Sequence, residues 1–388
     1  MDKLIDRLPE KSHKELSDDK LSLEAAEFYM SMQEEAKYMF GYPAHRYPIS
    51  LKTQYLLLQH YTAPFSNNCG DIDERGNYAM DTKDIEKRIV QLYAEKFSMG
   101  ESFWGYVTSG GSESNSCGIV LAFSQNPNGI LYYSSSAHYS VEKYAKTYEH
   151  EIIPCLPHDV LDVKSLLKRI KYNYDARGAA ANLLLTHGTT KYGACDEVDE
   201  IVAFLRAHNI PYYIHVDAAL FGGIPNNQID APLFLNAKER GINSISVSLH
   251  KYTGFPDVKS VFVATEKPRG ETVAYIGQHD TTVSGSRSIP AFALLNHITE
   301  QLNESDPEQY VRNVHLFESL LKEAQVPYYK AEFSNIFVID SPSDKLCKKY
   351  QLSCFEEDGK QKAHVIIFAS HFLKEMQELV TDLKHDLR

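Results

Sequence analysis

A lysine closes an apolar, β-branched run in this 388-residue chain. Ile242 to Leu249 reads as a buried strand, His250-Lys251 follows, and Thr253-Gly254-Phe255-Pro256 breaks the run. A lysine at the end of a buried strand is costly unless it is paired, neutral or put to chemical use. One such use is as the amine of an imine. Other apolar runs also end in residues that a core does not require: Ser109-Gly110-Gly111-Ser112, Ser135-Ser136-Ala137-His138, His187-Gly188-Thr189-Thr190 and Asp217-Ala218-Ala219. The glycine turn offers backbone N–H groups and a helix start to a phosphate, or is only a turn. It is neither GxGxxG nor GxxxxGK[ST], which argues against a dinucleotide fold or a P-loop. Asp217 could hold a proton on a heterocyclic nitrogen, or serve as an ion-pair partner or helix cap. Ala218 and Ala219 leave room for a flat ring beside it. His138 could stack on that ring, move a proton, or simply pack.

These residues must be carried by elements that bring them together. From residue 103 to about 265 strands and helices alternate. Strands are expected at 103–108, 130–133, 151–154, 182–186, 212–217, 244–249 and 260–264, with helices at 116–124, 141–148, 163–170 and 197–208. Repeated β–α units of this length predict an α/β fold, a mostly parallel central sheet with helices on both faces. Ligands of such sheets sit at the carboxyl ends of the strands, where the residues above fall. Helices are also expected over 22–40, 51–60, 81–97 and 290–323. Strands at 335–339 and 363–368 and a last helix at 373–387 suggest a smaller C-terminal α+β domain. The expected division is an N-terminal helical segment 1–60, a large domain 61–290 and a small domain 291–388.

The bulk properties exclude several classes. A formal net charge of −12 argues against a general binder of nucleic acid or anionic membranes. No apolar stretch is long enough to span a bilayer, and Met1–Arg7 lacks the apolar core of a signal peptide, so the expected location is the cytoplasm. The six cysteines form no CxxC pair and are expected as thiols; the sixteen histidines form no HExxH pair, and no metal is expected.

A lysine for an aldehyde, an acid for a pyridine nitrogen, a histidine for a ring face and a glycine turn for a phosphate together match pyridoxal 5'-phosphate. The chain also resembles the group II pyridoxal-phosphate decarboxylases, in particular the bacterial histidine decarboxylases and plant serine decarboxylases. The motifs that carry the resemblance are Ser66–Asp71, Trp104–Thr108, Gly110–Asn115, His138–Val141, Gly188–Thr190, His215–Ala219, Ser248–Lys251 and Ser284–Arg287. It covers residues 40–385. It implies a fold type I homodimer with active sites at the interface, Lys251 as the imine lysine, Asp217 on the pyridinium nitrogen and His138 on the ring. Gly111, Ser112, Ser248 and His250 then fall where the family binds phosphate, and Ala219 and Thr190 beside the ring. Asn68 falls near the substrate carboxylate. Tyr275–Asp280 resembles a mobile loop that reaches the neighbouring subunit, with Tyr275 or His279 as a proton donor or as a cover against water.

The family's histidine enzymes follow the lysine with Met-Ile-Gly-Ser-Pro; this chain has Tyr252-Thr253-Gly254-Phe255-Pro256, and Lys330–Asn335 departs as well. Phe255 is therefore a candidate substrate contact. The expected activity is α-decarboxylation of an L-amino acid, histidine-like or another small one, to amine and carbon dioxide. The alternatives are decarboxylation of an aminocarboxypropyl group on a larger molecule, such as a microcin C-type peptide-nucleotide, an aminotransferase or lyase on the same fold, and a cofactor-free interaction protein.

Overall fold

The computed structural model describes residues 18–46, 49–63, 66–78, 80–224, 236–304 and 307–387. Residues 1–17 of the expected N-terminal segment lie outside them. The chain begins with α1 (Asp18–Glu35), α2 (Leu51–Thr62) and α3 (Lys83–Lys96), then enters the alternating block. Its elements are β1 (Trp104–Thr108), α4 (Gly111–Gln125), β2 (Ile130–Ser134), α5 (Ser140–Ala145), β3 (His150–Ile153), α6 (Val163–Arg177), β4 (Ala181–Thr186), α7 (Val198–Ala207), β5 (Tyr212–Asp217), β6 (Ser244–Ser248) and β7 (Ser260–Ala264). The strands form one seven-stranded sheet in the order β1-β7-β6-β5-β4-β2-β3. β2, β3, β4, β5 and β6 pair in parallel, and β7 runs antiparallel to both β6 and β1. Apart from the edge strand β3, the parallel strands are buried on both faces and read as near-continuous apolar runs, as in β4 with its Leu183-Leu184-Leu185.

β6 is the exception, and it shapes the site. It alternates serine with Ile245 and Val247, and the two apolar side chains join the main core. Ser244, Ser246 and Ser248 are buried as well, which obliges them to find hydrogen-bonding partners.

α4 starts at Gly111, earlier than the 116–124 expected from apolar spacing. Gly110, at φ 152° and ψ 168°, takes a cap conformation open only to glycine. The Glu113 carboxylate accepts from the Ser109 N–H at 2.9 Å, and Ser114 Oγ lies 2.8 Å from Thr108 Oγ1. Polar capping thus supplies a first turn that carries no apolar pattern.

Beyond β7 come the hairpin β8 (Glu271–Val273) and β9 (Gln278–Asp280), then α8 (Ala291–Glu304) and α9 (Pro307–Ala324). A four-stranded antiparallel sheet follows, in the order β10 (Tyr329–Lys330), β11 (Ile336–Asp340), β13 (Lys360–Ile366), β12 (Ser353–Glu357), and α11 (Leu373–Asp386) packs with α9. The short helix α10 (Asp344–Lys349) precedes β12. α8, expected at the start of the small domain, packs instead on α2 and α3. Its Ala291, Leu294 and Ile298 lie in the core of the large sheet, because its apolar stripe matches that surface. A second core, with Phe317, Phe337, Val365 and Leu379, also takes Phe40, Phe221 and Tyr252 from outside the C-terminal sheet.

Candidate active site

The carboxyl ends of β1, β2, β5 and β6 surround a cavity of about 360 Å³. Gly111 and Ser112 come from the start of α4, His138 from the turn after β2, Asp217 and Ala219 from β5, and Ser248, His250 and Lys251 from β6; all line it. The strand order accounts for this, since β5 and β6 are neighbours and α4 crosses them from the β1 side.

Burial lowers the Lys251 ammonium below the ordinary lysine range, and the Asp217 carboxylate opposes that shift. The Lys251 backbone is pinned on both sides: its N–H donates to Ser248 O at 3.3 Å, and its carbonyl accepts from the N–H of His45 at 2.9 Å and of Gly254 at 3.0 Å. Gly254 has φ +66°, and a Cβ there would lie 2.8 Å from His45 O, so glycine is needed for this close approach. Asp217 Oδ2 accepts from Asn115 Nδ2 at 2.6 Å and Oδ1 from the Ala219 N–H at 3.1 Å. Both carboxylate oxygens are thus held by donors of the fold. His138 Nδ1 accepts from the Ser140 N–H at 3.3 Å, which puts its proton on Nε2. Burial lowers its pKa, with Asp217 opposing and Lys251 reinforcing the shift.

The opposite wall presents groups that could donate to an anion. The first-turn N–H groups of α4 open beside Ser248, where a Cβ on Gly111 would stand 3.1 Å from Ser248 Oγ. His250 Nδ1 donates to Lys259 O at 3.1 Å, so its Nε2 donates to an anion only as imidazolium. Burial lowers its pKa, and a bound dianion is what would raise it.

Other expected site residues lie elsewhere. Thr190 is exposed, outside the cavity lining, on the tight loop that joins His187 to Cys195 by a β-bridge. Its neighbour Thr189 is the buried one, accepting from Ala194 N at 3.0 Å. Asn68 is also buried, with its amide bonded within the fold: Nδ2 donates to Glu86 at 2.7 Å, and Oδ1 accepts from Thr82 N, just before α3, at 2.7 Å. Phe255 is 2% exposed in the main core, beside the His297 ring, and does not line the cavity. The segment with Tyr275 and His279 is the β8–β9 hairpin, docked on residues 69–78 of its own chain. Asp71 N donates to His279 O at 3.0 Å, Asn77 N to Ile276 O at 2.8 Å and Gln278 Nε2 to Cys69 O at 2.6 Å. His279 Nδ1 lies 2.9 Å from Glu74, whereas the Tyr275 side of the turn is open, with 74% of that residue exposed.

Asn115 and His215 fall inside the quoted motifs but, like Ser244 and Ser246, receive no role from sequence; Asn115 lines the cavity and joins the other three to Asp217. The signal was there in the serine alternation of β6, which a buried strand carries only where partners face it. All six cysteines are thiols.

One further buried acid holds the loop after β4. Asp196 Oδ2 accepts from Thr186 N at 2.7 Å, closing the loop that carries Thr190, and burial raises its carboxyl to about 7. A carboxyl raised above its unfolded value favours the fold below that unfolded value, near 4, and the contribution is lost as pH climbs to about 7. Asp196→Asn is therefore expected to flatten the fall in melting temperature between about pH 4 and 7. Parallel melting profiles for the two proteins over that range would refute the assignment.

Lysine and aspartate facing one cavity, a glycine-capped helix start and an anion wall fit pyridoxal phosphate, and they define a fold type I enzyme of that cofactor. Residues 124–268 match the family described as the pyridoxal-dependent decarboxylase conserved domain. The histidine decarboxylase of Morganella morganii is 32% identical over 88% of this chain and 91% of its own length. That of Pseudomonas entomophila is 33% identical over 87% and 84%. The solved L-methionine decarboxylase of Streptomyces sp. 590 shares the fold, with a TM-score of 0.80, 21% identity and coverage of 98% of this chain and 97% of its own. The chain belongs to the pyridoxal-dependent decarboxylases. It is a carboxy-lyase that uses pyridoxal phosphate to decarboxylate an amino acid. Among the described residues no helix is long and apolar enough to cross a membrane.

Proposed function

We propose that the protein removes the α-carboxylate of a small L-amino acid, histidine or one of similar size, with Lys251, Asp217 and His138 as the working groups. The observation that carries this reading is Lys251 and Asp217 lining one cavity beside the α4 N-terminus. Bound there, pyridoxal phosphate supplies an aldehyde that captures amines and a ring that takes up the electron pair left by the departing carboxylate. Lys251, its ammonium weakened by burial, offers more neutral amine than a solvated lysine. Asp217 holds a proton on the ring nitrogen, and the His138 ring covers a ring face. Ser112, Ser248, His250 and the Gly111 N–H hold the phosphate. The walls exclude water, which protects the reacting carbon from side reactions.

The protein acts as a homodimer in this reading. Leu21, Leu23, Tyr29, Met30 and Met32 on α1 and Leu51, Tyr55 and Leu58 on α2 are exposed, a large apolar area for a single chain. Tyr275, exposed at the hairpin turn, is then the better candidate to return a proton at a neighbouring copy's site, since His279 is committed to Glu74.

The test is a substrate screen of the holoenzyme with L-histidine, L-methionine, L-serine and an aminocarboxypropyl conjugate. The expected result is carbon dioxide and the matching amine in equal amounts from a free amino acid. Keto acid without carbon dioxide would replace this reading by an aminotransferase, and turnover of the conjugate alone would move the substrate to a larger molecule.

A further inference from the structure

Behind Asp217 lies a chain of buried polar groups. Asn115 Nδ2 donates to Asp217 Oδ2 at 2.6 Å. Asn115 Oδ1 accepts from Ser246 Oγ at 2.9 Å and faces His215 Nε2 at 3.1 Å. His215 Nδ1 is 2.9 Å from Ser244 Oγ, which accepts from the Tyr213 hydroxyl at 3.0 Å. None of these residues is more than 5% exposed. Fixing one proton fixes the rest. Asp217 takes the Ala219 N–H on its other oxygen and is an acceptor, so Asn115 must present its amide N–H to it. Asn115 Oδ1 then faces inward and needs donors, so His215 carries its proton on Nε2. His215 Nδ1 is left to accept from Ser244, which in turn accepts from Tyr213.

Burial holds the His215 imidazolium down to about 4, so the ring is neutral and one tautomer satisfies both neighbours. The fold makes room for this ring at a local cost. Gly118 sits in the middle of α4, where glycine disfavours the helix, and a Cβ there would lie 2.3 Å from His215 Cγ. Phe262 stacks on the ring at 5.7 Å.

We propose that His215 is a positioning residue for the decarboxylation site: through Asn115 it fixes which end of the amide meets Asp217, and so keeps that carboxylate aimed into the cavity. Without the His215 N–H, Asn115 can turn its carbonyl toward Asp217, and the two acceptors repel. The inference rests on the reading that Asp217 meets the ring nitrogen of the cofactor.

The experiment compares His215→Leu, His215→Gln, Asp217→Asn and the double variant His215→Leu/Asp217→Asn. Pyridoxal phosphate is titrated into each apo-protein, with the dissociation constant and the visible absorption band read directly and the melting temperature of the apo-protein recorded alongside. His215→Leu is expected to weaken cofactor binding at least tenfold and to shift the band. His215→Gln, which keeps a donor toward Asn115, is expected to restore much of both. In the Asp217→Asn background the His215→Leu effect is expected to vanish, because the group it acts through is gone. A folded His215→Leu protein with unchanged affinity and band overturns the inference, as does an equal loss in both backgrounds. If His215→Leu does not fold, Ser246→Ala removes the other donor to Asn115 and is expected to weaken binding in the Asp217 protein only; equal binding in both backgrounds overturns the inference. Should Asp217→Asn alone leave affinity and band unchanged, the reading of Asp217 fails first, and the two failures are told apart.

Discussion

Lys251→Ala is expected to remove the visible absorbance of the holoenzyme and to lower decarboxylation by about 10³-fold or more. The effect is large because, among the described residues, no other lysine lines the cavity to anchor the cofactor covalently. The variant should still fold. Lys251 lines a cavity rather than the core, and its structural role is carried by its backbone, whose N–H and carbonyl are bonded to Ser248, His45 and Gly254. Removing a buried amine also relieves a desolvation cost. The measurement is an absorbance spectrum with cofactor in excess, beside carbon dioxide release and thermal melting. Retention of both band and turnover would mean that Lys251 is not the anchoring amine.

Asp217→Asn should cost on the order of 10²–10³-fold in turnover at saturating cofactor, which lysine and phosphate contacts still hold, though more weakly. Asparagine is nearly the same shape but carries no charge, so it cannot hold a proton on a ring nitrogen. It also faces the Asn115 N–H and Ala219 N–H with only one acceptor oxygen in place of two. The loss should fall on kcat more than on KM, because the charge matters most when electrons enter the ring. A loss confined to KM would instead assign Asp217 to substrate binding.

Much of the site was legible in the chain because it depends on local rules. A parallel strand buried on both faces is a continuous apolar run, and the polar residue that ends it lies at the sheet's carboxyl edge. Gly111, His138, Asp217 and Lys251 could be read that way. Thr190 obeyed the same rule yet falls outside the cavity, because the loop after β4 folds back through the His187–Cys195 bridge and turns it outward. Tyr275 and His279 lie in a hairpin whose docking on residues 69–78 rests on contacts some 200 residues apart in the chain, such as His279 with Glu74, |i−j| 205. Phe255 lies near Lys251 in sequence, but Gly254 turns the chain and directs the ring into the core.

The sequence by itself determined the strands, the residues at their ends and hence the cofactor class, since periodicity and end chemistry are properties of short segments. Tertiary structure decided which ends meet, how early α4 begins, and that Asn115 and His215 stand behind Asp217. Those outcomes follow from a global requirement that every buried polar group find a partner. That requirement is met here by residues on α4, β5 and β6 that lie close only once the sheet has formed.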